Sequence, residues 1–282
     1  MMFDYLSYLL LAVVVKGRAA FSDARRAFTE SRINLLIHFL DFILLTPLLA
    51  LVSVALAKGF AATGLVLVHP DVWQGIPIIL TGFVAVFAGD FIGYWRHRLE
   101  HSQWLWPSHA IHHSDTEMTW LTLLRFHPLN RLSSLILDYA FLLMLGLPPY
   151  ALIVNNLVRH YYGMLIHADL PWTYGRLGKV FVSPAMHRWH HARDAAAYNT
   201  NYATVFSIFD RTFGTFRVPG PCDAPLGISE EMGAGIAGQL AHPFRPSRYR
   251  FYRRVHGRSS RPAAAFRRGP IPSAEIADAK PD

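Results

Sequence analysis

The stretch HRLEHSQWLWPSHAIHHSD, His97 to Asp115, holds five histidines: His97, His101, His109, His112 and His113. His97 and His101 are four residues apart and point the same way on a helix, with Asp90 and Tyr94 on the same stripe. Pro107 can open a new helix, on which His109, His112 and His113 recur at i, i+3 and i+4. SPAMHRWHH repeats the device: Ser183 can cap, Pro184 opens the turn, and His187, His190 and His191 share a face. His167 sits where it can join them, and His160 lies two turns away on its face. Anchoring at a membrane interface explains one such pair, but not three sets on one side. Imidazoles buried together need partners for their nitrogens, and a metal supplies them. Such ligands suit Zn, Cu, Fe or Ni. Eight or nine are too many for one ion and suit two, each expected to draw on both HxxHH faces. Asp90, Glu100, Asp115, Glu117, Asp169 and Asp194 lie close in sequence, but spacing does not fix which of them orient imidazoles.

What must position these residues is apolar. Of 282 residues, 52% are hydrophobic and 16% charged, below the roughly 25% of soluble domains. The single Cys222 excludes an internal disulfide framework and a Cys-rich zinc pattern. Ile33 to Ala57 is the clearest span, followed by Ile76 to Trp95, Leu132 to Leu147 and Tyr150 to Ile166, the last two a helical hairpin turning at LPP. Leu6 to Val15 reads as half-inserted or interfacial, since Asp4 and the lack of a positive leader argue against a signal peptide. The expected fold is all-α: an integral membrane bundle of about four transmembrane helices with a cytoplasmic helical cap that carries the metal site.

Lys16, Arg18, Arg25, Arg26 and Arg32 precede the first span and place that side in the cytoplasm. Residues 96–131, and everything after the hairpin, then lie there too, in a multi-pass protein of a bacterial-type inner membrane. Expected segments are a membrane-anchoring region 1–75, a catalytic domain 76–220, an extension 221–257 and a basic disordered tail 258–282. Ten of the Arg and Lys residues fall between Arg245 and Lys280, so most of the formal charge of +8 resides near the tail and says little about substrate. A basic tail beside a membrane meets anionic lipid headgroups. No recognised nucleic-acid motif accompanies the charge, and no nucleic-acid partner is expected.

DFIGYWRHRLEH, HAIHHSD, RFHPLN, LIHADL, SPAMHRWHHARD and NTNYATVFSIFDRTFGTF follow one another in an order that resembles the fatty acid hydroxylase/sterol desaturase superfamily of integral membrane di-iron oxygenases. The resemblance covers roughly residues 76–217. It implies metal ligands at His97, His101, His109, His112, His113, His167, His187, His190 and His191. Asp90, Asn201, Asp210 and the FGTF of Phe213 to Phe216 match positions that support the site. His127 matches a family histidine without an assigned role, and His160 has no secure counterpart. Together with Asp194 these are candidates for the shell around the ligands. Asn130 departs from the family, many members having Glu there.

The resemblance further implies two iron ions, with zinc as a substitute in purified protein, and O2 as co-substrate. It implies a lipid substrate of sterol, fatty acyl or alkylglycerol type, hydroxylated or desaturated with two electrons from elsewhere. GAGIAG at Gly233 to Gly238 spells GxGxxG, but no strand precedes it and no acid stands about 20 residues on, so it is not a nucleotide site. Electrons therefore come from a separate reductase, ferredoxin or cytochrome. Trp104 to Trp106 and Tyr161 to Tyr162 read as an interfacial belt, with lining of a lipid path as the alternative. Two other functions fit a histidine cluster. Metal handling is disfavoured because transporters place ligands mid-membrane, and a zinc hydrolase needs far fewer ligands.

Overall fold

The computed structural model describes residues 2–233 and 235–245, so the tail, with His256, lies outside the described residues. Among the described residues the fold is all-α, helices joined by loops, with one isolated bridge between Ala192 and Leu226. After α1 (Met2–Lys16) and α2 (Ala19–Arg26), α3 (Phe28–Leu40) and α4 (Thr46–Thr63) run as one helix through a π-turn at Asp41–Leu45. That helix ends where Gly64 turns left-handed at φ 62°. Its apolar residues point outward: Phe39, Phe42, Leu44, Leu48 and Leu51 are all exposed. An apolar surface of that extent marks a membrane or partner contact. Phe28–Thr63 and α5 (Ile78–Glu100) are the two described helices long and apolar enough to cross a membrane.

Past α5 come α6 (Trp106–His113) and a second helix with a π-turn, made of α7 (Pro128–Ser134), Leu135–Tyr139 and α8 (Ala140–Met144). Gly146, at φ 60°, turns the chain into α9 (Pro149–His167), and a Cβ there would meet the Val68 carbonyl oxygen at 2.4 Å. The expected runs Leu132 to Leu147 and Tyr150 to Ile166 fall on these two helices. α5 and α9 form the central pair. Gly89 and Gly93 of α5 leave room for side chains of α9, since a Cβ on either would stand 2.0 Å from Asn155 Oδ1 or Arg159 Nη2.

The short helices α6, α10 (Pro184–His190), α11 (Ile208–Thr212) and α12 (Gly235–Ala241) build the region around one end of this pair. The GAGIAG stretch thus falls largely in helix. A core of Tyr94, Ile166, Val182, Met186, Tyr202, Phe206 and Phe209 ties that region to α5 and α9. Phe87 and Phe91 of α5 pack on Phe209 at 5.0 and 5.6 Å, aromatic pairs worth roughly 0.5–1.5 kcal/mol each beyond the area they bury.

Candidate metal centre

Four helices deliver the imidazoles. His97 lies in the last turn of α5 and His101 is its C-cap residue. α6 begins on Trp106 and Pro107 and carries His109, His112 and His113. Ser183 accepts from Met186 N at 3.1 Å and starts α10, which carries His187 and His190 and ends at His191. His167 is the last residue of α9.

All nine converge, in two groups. His97, His101, His109, His113 and His190 form one, and His112, His167, His187 and His191 the other, with one ring nitrogen from each member within 4.8 Å of the rest. Neighbouring histidines diverge: His112 and His113 join different groups, as do His190 and His191. Adjacent helical residues point about 100° apart, so one face serves both groups. The groups share a wall, where His113 and His191 stack at 4.4 Å.

Hydrogen bonds on the outer side fix which nitrogen faces in. His97 Nδ1 donates to the Tyr202 carbonyl oxygen at 2.7 Å, His190 Nδ1 to Thr200 at 2.7 Å and His167 Nδ1 to Gly163 at 2.6 Å. With the proton on Nδ1, each Nε2 offers a lone pair inward. Yet His97 Nε2 lies 3.0 Å from both His109 Nε2 and His190 Nε2, and His187 Nε2 lies 2.9 Å from His167 Nε2. Protons are a poor remedy. Burial first, then neighbouring histidines, pushes His109, His112, His113, His187 and His191 well below the usual imidazole range, and burial pushes His190 down to about 4. A buried acceptor without a partner costs roughly 1–3 kcal/mol. Three of them, on His97, His167 and His190, would together cost an appreciable part of the net stability of a domain, about 5–15 kcal/mol. Neutral imidazoles aimed at two common centres are a donor set that fits a cation at each.

Around the ligands, Asp90 accepts from the backbone N–H of Thr204, Val205 and Phe206 at 2.7–3.1 Å. Asp210 accepts from Tyr202 N, Ala203 N and Thr215 Oγ1 at 2.7–2.9 Å. The two carboxylates clamp the loop whose carbonyl orients His97. Burial raises the Asp210 carboxyl to about 6, partly offset by Thr215 and the backbone donors. Asn201, left-handed at φ 60°, donates to the Met186 and Arg217 carbonyl oxygens and accepts from Arg217 N, fastening α10 to the same loop. His127, His160 and Asp194 stand outside both groups. His127 caps α7 through Leu129 N, the His160 ring packs on Tyr161, and Asp194 accepts from Ala196 N.

Of four further contacts, sequence reasoning offers only Glu100 as a partner for an imidazole, among six acids whose roles spacing does not fix. Asn130, buried, lies 3.3 Å from His109 Nδ1, and Glu100 Oε2 lies 3.6 Å from the same atom. Phe126 stacks on His112 at 4.3 Å. Trp106 packs on His101 and His113 and donates to Glu230 Oε1 at 2.8 Å, which removes it from an interfacial belt. Trp104 is exposed. A Glu near α5 and an Asn departing from the usual Glu were the available signals; the ring contacts had none.

A fatty acid hydroxylase family model matches residues 82–215. Over 177 residues the chain is 33% identical to an ornithine lipid hydroxylase, OlsE, of Rhizobium tropici, covering 62% of this chain and 53% of that protein. It is 33% identical over 149 residues to an alkylglycerol monooxygenase of Caenorhabditis elegans, covering 52% and 29%. A Delta(7)-sterol 5(6)-desaturase of Gibberella zeae is 28% identical over 131 residues, covering 46% and 36%. The chain thus spans about half or less of the length of these relatives. No solved structure matches.

Proposed function

Since the chain belongs, through residues 82–215, to the fatty acid hydroxylase family, we propose that it is a membrane-bound, non-heme di-iron oxygenase that hydroxylates or desaturates a C–H bond of a lipid. The observation that carries the reading is the two groups of inward-facing imidazoles. Their all-nitrogen donor set would hold two ions. Relatives named as hydroxylase, monooxygenase and desaturase favour iron over redox-inert zinc. When bound, iron supplies the activation of O2 that an unactivated C–H bond requires. Zinc binds such nitrogen sites more tightly than Fe(II) and is the expected replacement in overexpressed protein.

The protein's own part is positional. Carbonyl oxygens of Tyr202, Thr200 and Gly163 hold His97, His190 and His167 in the tautomer that presents Nε2. Asp90 and Asp210 hold the loop that carries the Tyr202 carbonyl. The nine imidazoles are buried or nearly so, which keeps bulk water from the reacting carbon. Two electrons per turnover come from a separate reductase, ferredoxin or cytochrome. The Arg and Lys residues ahead of the first span support a cytoplasmic metal centre, with four spans formed by Phe28–Thr63, α5, the α7–α8 helix and α9.

The test is metal analysis of purified active protein, paired with product mass spectrometry under O2 and under argon. Two irons per chain and a product that needs O2 are expected. One ion or none, or zinc with a product formed equally under argon, would exclude the oxygenase in favour of a hydrolase or a metal-handling protein.

A further inference from the structure

A cavity of about 180 Å³ opens against the metal centre, touching His97, His109, His112, His167 and His187. That is room for several waters. Leu123, Phe126 and Ile166 give it some apolar wall, but charged side chains stand among them. Arg96, Arg131 and Arg159 line it, with Glu100 and Asp138. Two π-turns shape this lining: one carries Asp41, which pairs with Arg131, and the other carries Asp138.

Hydrogen-bond valence decides what the chamber accepts. Asp138 receives Arg96 Nε on one oxygen and Arg159 Nη1 on the other. Glu100 receives Arg96 Nη1 and Ser133 Oγ. Each carboxylate thus already takes two hydrogen bonds from within the fold, about half of what it can accept. A guanidinium carries five N–H donors. Arg96 engages carboxylates through Nε and Nη1, Arg159 through Nη1 and Arg131 through Nε. Arg159 Nε is buried without a hydrogen bond, although the Asp90 carboxylate stands 3.8 Å from it. Three guanidiniums leave more N–H groups unused than the two carboxylates leave lone pairs, so the spare capacity of the chamber is mainly in donors and favours an occupant with acceptor oxygens. A bare methylene chain would strip these arginines of water and return nothing. The cavity suited to hydrocarbon lies elsewhere. It measures about 600 Å³, is lined by Phe60, Trp73, Leu147 and Tyr150, and adjoins Ile78 at the far end of α5, about 28 Å along the helix from His97.

We propose that this chamber seats an anionic headgroup, a carboxylate or a phosphate, so that the carbon oxidised lies within a few bonds of that headgroup and not in the middle of an acyl chain. The seat rests on the oxygenase reading for its chemistry but not for its binding. In that chemistry one oxygen atom of O2 enters the C–H bond, and the other leaves as water with two electrons and two protons from the donor protein.

Two matched pairs of lipids separate the sources of the anion: N-dodecanoylglycine against its carboxamide, and dioctanoyl phosphatidic acid against dioctanoylglycerol. Each is titrated into the full-length protein in neutral detergent. The anionic member of at least one pair should bind tenfold or more tightly than its neutral match. Arg131→Gln should reduce that preference to under threefold, and the variant's melting temperature reports its fold. Equal affinities within both pairs of the wild type overturn the proposal, whatever the variant does. Tandem mass spectrometry of oxidised lipid then locates the reaction: oxygen on the headgroup fragment or the carbons adjoining it is expected, and mid-chain oxygen overturns the proposal. Anion-selective binding with no oxidised lipid at all would leave the seat standing and sink the oxygenase reading alone.

Discussion

Asn130 Nδ2 lies 3.3 Å from His109 Nδ1, while Asn130 Oδ1, on the same amide, is buried without a partner. Turning the amide over gives the oxygen to the His109 N–H and satisfies both groups. Glu100, 3.6 Å from the same nitrogen, supplies a carboxylate beside it.

Asn130→Leu should therefore loosen His109 and lower metal occupancy and turnover by roughly 10–100-fold, as is usual when a ligand's outer partner is lost. Asn130→Asp, which keeps an acceptor, should stay within a few-fold of wild type. Metal content per chain, measured beside lipid product, separates the two. Full occupancy in Asn130→Leu would remove Asn130 from the site.

His113 and His187 belong to different groups. Replacing either by Ala should remove about one of two ions and abolish turnover, and the double variant should lose both. His69, an exposed cap on the turn at Pro70–Gly75, is the matched control and should leave both quantities unchanged. Elemental analysis that finds two irons in His113→Ala would contradict the division.

The asymmetry between two glycines tests the α5–α9 contact. A Cβ at Gly89 would meet Asn155 Oδ1 at 2.0 Å and its Cγ at 2.8 Å, so the buried amide must move. Gly89→Ala should cost roughly 1–3 kcal/mol. Gly59, with nothing within 4 Å, lies inside α4, where Ala is favoured over Gly by about 1 kcal/mol. Thermal denaturation in detergent should move in opposite directions for the two variants.

Asp210 makes stability depend on pH. Its carboxyl is raised by burial from 3.8 to about 6, so the folded state holds the proton longer than the unfolded chain. The contribution is present below about pH 4 and is lost as pH rises to about 6, amounting to at most about 3 kcal/mol. Asp210→Asn cannot titrate. The melting temperature of the wild type relative to this variant should fall between pH 4 and 6 and stay level above 7. A level difference across the whole range would mean that Asp210 keeps an ordinary carboxylate.

The helices that carry the histidines were legible because i, i+3, i+4 spacing is geometry written directly into sequence: His109, His112 and His113 could share a face only on a helix. Asp90 and Asp210 were nameable through resemblance, yet what they hold is backbone, the N–H groups of Tyr202 to Phe206. The acceptors that orient His97, His167 and His190 are carbonyl oxygens, which every residue carries, so no side-chain pattern announces them. The π-turns at Asp41–Leu45 and Leu135–Tyr139 were equally silent, because one extra residue in a helical turn leaves composition unchanged. Trp106 read as an interfacial aromatic because it stands two residues from Trp104; only packing separates the buried ring from the exposed one.

The division of imidazoles between the two groups also sets an order in time. A ribosome delivers His97, His101, His109 and His113 early, so four of five members of one group exist before α9 has been made. The other group has His112 alone until His167 emerges, and gains its last two members, His187 and His191, only with α10. If each group holds an ion, the first could gather four of its five imidazoles while synthesis continues, whereas the second waits for the C-terminal third of the protein. A chain truncated before α10 would leave both groups incomplete, lacking His190 in one and His187 and His191 in the other.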